Sequence, residues 1–138
     1  MRIYLVLLAL SSLVSSQKKS LGCDTRIMFS DTVKSAKFFF GIASYYSDSF
    51  NGKRTANGEI FNQQGMTAAH NQLPLGTVIR VTNLRNNKSV VVRINDRLHR
   101  RNKRLVDLSK AAAKKLGFVQ SGITRVKIEI LGGDMKSN

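Results

Sequence analysis

The chemistry open to this chain is bounded by its few acids. Eight carboxylates stand against 23 Lys and Arg in 138 residues. Asp24 and Asp31 fall in a polar N-terminal arm, Glu129 on the outward side of an alternating stretch, and Asp134 in the tail. Asp48, Glu59, Asp96 and Asp107 remain, each at a predicted loop or strand end. Carboxyl groups in such places can deliver protons, orient hydroxyls or stabilise positive charge. Asp96 differs from the others in context, because it closes the run Val90-Val91-Val92-Arg93-Ile94-Asn95-Asp96-Arg97. If strand alternation persists to its end, Asp96 emerges on the Val90, Val92 and Ile94 face, with Arg93 marking the wetter face. Desolvation there favours the protonated form, which a general acid needs. The ordinary alternative is a turn-capping Asp. His70 ends a short apolar segment, and its local sequence reads as a hydrogen-bonded structural histidine.

Other chemistries are excluded by composition. One cysteine, Cys23, and two histidines, His70 and His99, cannot build a Cys/His zinc cluster or an intrachain disulfide. There is no Gly-rich phosphate loop, no Gly-x-Ser-x-Gly elbow and no His-Glu-x-x-His helix. Neither a cofactor nor a metal is expected.

The candidate residues need elements to hold them. Residues 37–46 are apolar and aromatic and read as the first strand, with Gly41 predicting a bulge or a close backbone approach. Residues 47–58 are a Ser-, Asn-, Gly- and Asp-rich loop ending at the Asn57-Gly58 turn signal. Residues 66–70 form a short apolar segment, and Pro74 and Gly76 bracket a turn before a strand over 77–84. The polar turn 85–88 then predicts an antiparallel hairpin with the strand that starts at Val90. A basic loop follows with Arg97, His99, Arg100, Arg101, Lys103 and Arg104, then the apolar segment 105–108. Ser109 is a good N-cap and Gly117 a good C′ residue for a helix over 110–116. Residues 124–130 alternate cleanly, with Val126, Ile128 and Ile130 inward. Short strands with one small helix predict a mainly β fold, a small barrel whose closure removes exposed edges.

Length fits one domain, and the 42% hydrophobic content supports a core. The net charge of +15 implies an anionic partner or surface. The first residues read as an address. Arg2, the apolar stretch 3–14 and Val14-Ser15-Ser16 predict an export signal over 1–16, shorter than the ~20 residues of a spanning helix. An uncut membrane anchor is the alternative. Residues 17–36 read as a linker or weakly ordered arm, 37–131 as the folded domain and 132–138 as a polar tail. Ser20-Leu21-Gly22-Cys23 is an imperfect lipidation box, because Lys18 and Lys19 separate it from the apolar run. The expectation is therefore a cleaved signal without lipid and a periplasmic or envelope location, ahead of an outer-membrane lipoprotein through Cys23.

Taken together, several motifs carry a resemblance. Gly41-Ile42-Ala43-Ser44-Tyr45-Tyr46, Thr55-Ala56-Asn57-Gly58-Glu59, Thr67-Ala68-Ala69-His70, Leu73-Pro74-Leu75-Gly76-Thr77, Val81-Thr82-Asn83-Leu84, Val90 to Arg97 and Asp107-Leu108-Ser109 resemble, in order, the motifs of the rare lipoprotein A (RlpA) family. The resemblance implies a six-stranded double-psi β-barrel with one or two short helices. It also implies a lytic transglycosylase acting on peptidoglycan glycan strands, with preference for strands stripped of stem peptides. Glu59 and Asp96 fall on the acidic positions tied to activity, and His70 on the associated histidine. Tyr45, Tyr46, Thr67, Asn95, Arg97 and Asp107 are the expected substrate contacts. Two departures are visible: Leu98-His99 replaces the usual Gly-Pro after Asn-Asp-Arg, and the C-terminal peptidoglycan-binding repeat domain of many relatives is absent.

A lytic transglycosylase needs no water, because the muramic acid C6 hydroxyl attacks its own C1 and leaves a 1,6-anhydro end. One carboxyl group can serve as acid and then as base. Asp96 is expected in that role, with Glu59 orienting the sugar or stabilising oxocarbenium charge and His70 holding a carboxylate or a sugar hydroxyl. The three are expected to converge on one groove. The expected partners are glycan strands, with peripheral association to a membrane or anionic wall surface, in a monomer. A non-catalytic expansin-like binder is the alternative. A nucleic-acid partner is not expected, since the basic loop lacks interleaved aromatics and the chain carries an export signal.

Overall fold

The computed structural model describes residues 36–133. The expected signal, nearly all of the expected arm, Cys23 and residues 134–138 lie outside the described residues. Six strands, β1 (Phe38–Tyr45), β2 (Thr67–Ala69), β3 (Thr77–Asn83), β4 (Ser89–Asp96), β5 (Val106–Leu108) and β6 (Ile123–Gly133), close into a barrel in the order β1-β5-β2-β4-β3-β6. β1 with β5 and β2 with β4 are parallel pairs, and the remaining pairs are antiparallel. β3 and β4 form the expected hairpin, with Val81 opposite Val90 and Ile79 opposite Val92.

The period-2 pattern produces the core. Val90, Val92 and Ile94 of β4 and Val126 and Ile128 of β6 point inward beside Ile79, Val81, Val106 and Leu108. Each fully buried aliphatic side chain of this kind contributes about 1.5–3 kcal/mol. Gly41 serves a close approach: a Cβ there would lie 2.7 Å from the Leu105 Cβ. The helix α1 (Lys110–Leu116) buries Ala112, Ala113 and Leu116. Its N-cap Ser109 accepts from the Ala112 N–H, and Gly117 closes it in the left-handed region at φ 74°. Asn83 then donates to the Leu116 carbonyl at 2.9 Å.

Three local features depart from a plain reading of the pattern. Residues 47–58 include a single 3-10 turn, Asp48–Phe50, capped by Ser47. β6 continues to Gly133, where Gly132 and Gly133 pair with Val78 and Thr77 past a register shift. The third feature bears on the site. Ala68 pairs with Ile94 and Ala69 with Asp96, so Asn95 is an extra residue in a β-bulge. Alternation therefore stops at Ile94. Ile94 and Asn95 are both buried, and Asp96 is half-buried instead of emerging on the Val90, Val92 and Ile94 face.

Candidate active site

The bulge at the end of β4 sets the position of Asp96. The loop 55–59 docks onto it: the Asn57 N–H donates to the Asn95 carbonyl at 3.2 Å, and the Ala56 N–H to Asp96 Oδ1 at 2.9 Å. This loop is closed by a bridge between Arg54 and Ile60 and turns at Gly58, whose φ of 90° suits glycine. Asp96 Oδ1 also accepts from the Arg97 N–H at 2.8 Å, while Oδ2 accepts from the Tyr46 hydroxyl at 2.7 Å. Asp96 thus has the backbone contact of a turn residue and a second oxygen turned to a phenol.

Tyr46 is fixed by aromatic packing against Phe61 at 4.5 Å and Phe50 at 5.5 Å between ring centres. Burial pushes its phenol far above the ordinary tyrosine range, and the hydrogen bond to Asp96 pushes it further the same way. Tyr46 therefore stays protonated and remains a donor. Gln63 holds the Tyr46 carbonyl at 2.8 Å and also accepts from the Lys110 N–H at the start of α1.

Asp96 and Tyr46 line a cleft of about 610 Å³ with Tyr45, Phe50, Leu98, Arg104 and Asp107 among its walls. That volume lies within the range of ligand clefts. Asp107 is a second carboxylate there. It accepts from the Ser44 hydroxyl, pairs with Arg104 Nε at 3.2 Å and takes Asn102 Nδ2 at 3.4 Å. It is thereby a clamp on the basic loop. The Leu98 and His99 that replace the usual Gly-Pro are accommodated in the same wall. Leu98 is buried, its N–H bonded to Asn71 Oδ1 at 2.9 Å, and His99 stands exposed in the turn that Asn102 closes onto the His99 carbonyl.

Glu59 and His70 are not in this cleft. Glu59 lies on the outer side of the bulge, where Oε2 accepts from Arg93 at 2.8 Å and from Asn95 Nδ2 at 3.3 Å. The Arg93 guanidinium is the main cause that holds its carboxyl down at about 2. His70 is 1% exposed and borders a neighbouring cavity of about 300 Å³ with Phe40, Asn71 and Leu98. Its Nδ1 accepts from the Gln72 and Leu73 N–H groups, both at 3.1 Å. An imidazole that accepts at Nδ1 is neutral and carries its proton on Nε2. Burial, and then the charge of Arg97, pushes its pKa down, in keeping with that state. His70 Nε2 has no partner among the described residues.

The expected substrate contacts divide. Tyr45, Tyr46, Arg97 and Asp107 line the cleft with Asp96. Tyr45 is anchored by its hydroxyl to the Val119 carbonyl at 2.9 Å. Arg97 braces the carbonyls of His70 and Leu73 at 2.6 and 2.7 Å. Thr67 and Asn95 are not among the cleft residues; Asn95 works through the bulge and Glu59. Reading the sequence missed Phe50, Phe61 and Gln63 around Tyr46 and Ser44 and Asn102 around Asp107. Phe61, Gln63 and Ser44 act across chain separations that no local pattern marks, while Phe50 and Asn102 lie within five residues of their partners but in loops without a period. Among the described residues no group of three or more His, Cys, Asp or Glu could hold a metal ion, and no helix is long and apolar enough to cross a membrane.

The profile of the lytic transglycolase family matches residues 39–128, from β1 to within β6. The chain belongs to that family. Its match to the endolytic peptidoglycan transglycosylase RlpA of Campylobacter jejuni is 50% identical over 92 residues, covering 67% of this chain and 34% of that protein. With the protein of the same name from Pseudomonas aeruginosa strain PAO1 it is 56% identical over 89 residues, covering 64% and 26%. The chain thus spans about a third or less of the length of these relatives. Among solved structures, Streptomyces papain inhibitor superposes with a TM-score of 0.56 at 20% identity, over 68% of this chain and 94% of that one. An expansin of Clavibacter michiganensis gives 0.56 at 21%, over 69% and 50%. At those identities the likeness is one of fold, and it agrees with the double-psi β-barrel expected of this lytic transglycolase domain.

Proposed function

We propose that this domain is an endolytic lytic transglycosylase of the cell envelope. It cleaves peptidoglycan glycan strands to 1,6-anhydromuramic acid ends, with Asp96 as the single acid and base. The observation that carries the reading is the asymmetric hydrogen bonding of the Asp96 carboxyl group. Each carboxyl oxygen has about two acceptor sites. On Oδ1 both are taken by the Ala56 and Arg97 N–H groups, and on Oδ2 one is taken by Tyr46. The free site on Oδ2 is the one through which a proton can pass to and from the substrate. Oδ2 delivers that proton to the glycosidic oxygen as the bond to C1 breaks. The resulting carboxylate then takes the C6 hydroxyl proton as that oxygen closes on C1. Atoms balance without water.

The other residues support this step. Tyr46 fixes the reacting oxygen and remains a donor to the transient carboxylate. Glu59, held ionised by Arg93, cannot supply the proton, and from outside the cleft it fixes Arg93 and Asn95 at the bulge that carries Asp96. His70 is a positioning residue, since its carbonyl anchors Arg97 and its N–H bonds the Asp96 carbonyl at 3.2 Å. Strands stripped of stem peptides expose a lactyl carboxylate on each muramic acid, and the Arg97, His99 and Arg104 side of the cleft suits that charge. Exposed Arg100, Arg101 and Lys103 add attraction to the anionic wall.

Digestion of purified peptide-free glycan strands with mass analysis of the products is the test. Anhydro ends are expected. A folded chain that binds the strands and yields none would be an expansin-like binder instead.

A further inference from the structure

The outer wall of the barrel carries an apolar patch that shares no residue with the cleft. On β1, Phe38 is 47% and Phe40 66% exposed, with Ile42 beside them. Leu84 after β3 and Ile123 of β6 are 44% and 51% exposed. The register makes these neighbours: Phe40 pairs with Lys127 and Ile42 with Arg125. Two shallow depressions join them, one lined by Phe40, Ile42, Leu84 and Arg125, the other by Ile42, Arg85, Ile123 and Arg125. The patch is rimmed by cations, with Lys127 Nζ 5.2 Å from the centre of the Phe38 ring. The acid of these strands, Glu129, is already paired with Arg80 at 3.0 Å.

Large apolar side chains exposed side by side in this way point to a contact site. Its chemistry selects the occupant. A glycan would need polar side chains among the aromatics to take its hydroxyls, and here the aromatics are flanked by aliphatic Ile42, Leu84 and Ile123. A bilayer surface takes apolar side chains at the acyl boundary and cations at the phosphates, which is the arrangement present. The chain's net charge of +15 adds long-range attraction to an anionic leaflet. We propose that the face formed by Phe38, Phe40, Ile42, Leu84 and Ile123, with Arg85, Arg125 and Lys127 around it, docks on membrane rich in anionic phospholipid. The cleft lining is then left free, so docking is independent of the glycan chemistry.

The chain has no tryptophan, so a single one reports its own surroundings. Phe40→Trp places it on the patch. Val91→Trp places it at a 46% exposed site on β4, three strands away in the barrel order on either side. Both are made in the full chain, so any contribution of the apolar segment 3–14 is common to both. With vesicles of phosphatidylglycerol and phosphatidylcholine, emission from Phe40→Trp should shift to the blue and be quenched by brominated acyl chains, while Val91→Trp should not respond. Vesicles of phosphatidylcholine alone should give little shift. Adding Arg85→Gln and Arg125→Gln should lower partitioning roughly 30-fold, each basic residue near an anionic surface contributing about fivefold. Absence of a shift on anionic vesicles, or equal quenching at both positions, would overturn the proposal. A Phe40→Trp shift produced by purified sacculi and not by vesicles would overturn it too, in favour of the wall.

Discussion

Asp96→Asn separates the acid role from the structural one. Asn retains an oxygen for the Ala56 and Arg97 N–H groups, and its amide nitrogen can face the Tyr46 hydroxyl, which turns to accept. All three hydrogen bonds survive, so the melting temperature should stay close to that of the unaltered chain. Asp96→Ala removes the same three bonds, at about 0.5–1.5 kcal/mol each. The sum, about 1.5–4.5 kcal/mol, corresponds to a fall of roughly 6–36 °C at about 4–8 °C per kcal/mol for a domain near 100 residues. Activity should not follow stability. Loss of a positioned acid costs on the order of 10²–10⁴ in rate. Asp96→Asn should therefore be folded, should bind peptide-free strands, and should release anhydro ends at that reduced rate. Calorimetry, strand co-sedimentation and mass analysis of timed digests read the three quantities on the same preparations. Cleavage by Asp96→Asn at near the original rate would refute the reasoning and leave Asp96 as a turn residue alone.

Further perturbations test the surrounding assignments. Tyr46→Phe keeps the ring between Phe50 and Phe61 and deletes the bond to Asp96, so turnover should fall about 10- to 100-fold, the ~1.5–3 kcal/mol of a hydrogen bond to a charged group, with little change in KM; an unchanged kcat would remove Tyr46 from the mechanism. Glu59 titrates at about 2 instead of 4.5, so its pairing stabilises the fold fully above about pH 4.5 and the effect is lost as pH falls through about 2. With the Arg93 and Glu59 side chains 35% and 43% exposed, screening limits the effect to roughly 0.5–1 kcal/mol; urea unfolding of Glu59→Gln across that window checks it, and a pH-independent difference contradicts it. Ile128→Asp puts an unpaired charge where exposure is 0% and should unfold the barrel, so a soluble variant with the original melting temperature would contradict the strand phase. Neutralising exposed Arg100, Arg101 and Lys103 should weaken binding to sacculi at low salt and matter little at high salt; an equal loss at both would mean direct contacts.

What could be read from sequence was what depends on neighbours within a turn or a strand. Ser109 and Gly117 bracket α1 because capping is settled within a few residues. Val126 and Ile128 face inward because alternation is local. The bulge at Asn95 was not readable. It is enforced by the parallel pairing of β2 with β4 and by the loop 55–59, which is more than 30 residues earlier in the chain. For the same reason the expectation that Asp96, Glu59 and His70 share one groove had no local test. In the structure Asp96 lines the cleft, His70 a neighbouring cavity, and Glu59 the outer side of the bulge. For His70 the local reading describes its ring contacts well, since Nδ1 accepts from two backbone N–H groups a short step along the chain.

The bulge also explains how two carboxylates so near in the fold come to differ. A strand that kept strict alternation would send residues 94 and 96 to one face and 93 and 95 to the other. By absorbing Asn95, the bulge buries two consecutive side chains and frees the end of β4 for the loop to dock. One side of that junction presents Arg93 and Asn95, and Glu59 settles there as a fixed anion. The other side presents two backbone N–H groups and a buried phenol, and Asp96 settles there with one oxygen saturated and the other half-occupied. Divergent surroundings assign divergent roles to paired carboxyl groups. A hydrolase would need the second carboxylate to activate water or attack carbon. A reaction whose nucleophile is the substrate's own hydroxyl does not, and an anion locked by Arg93 on the far side of the bulge fits that proposed reaction.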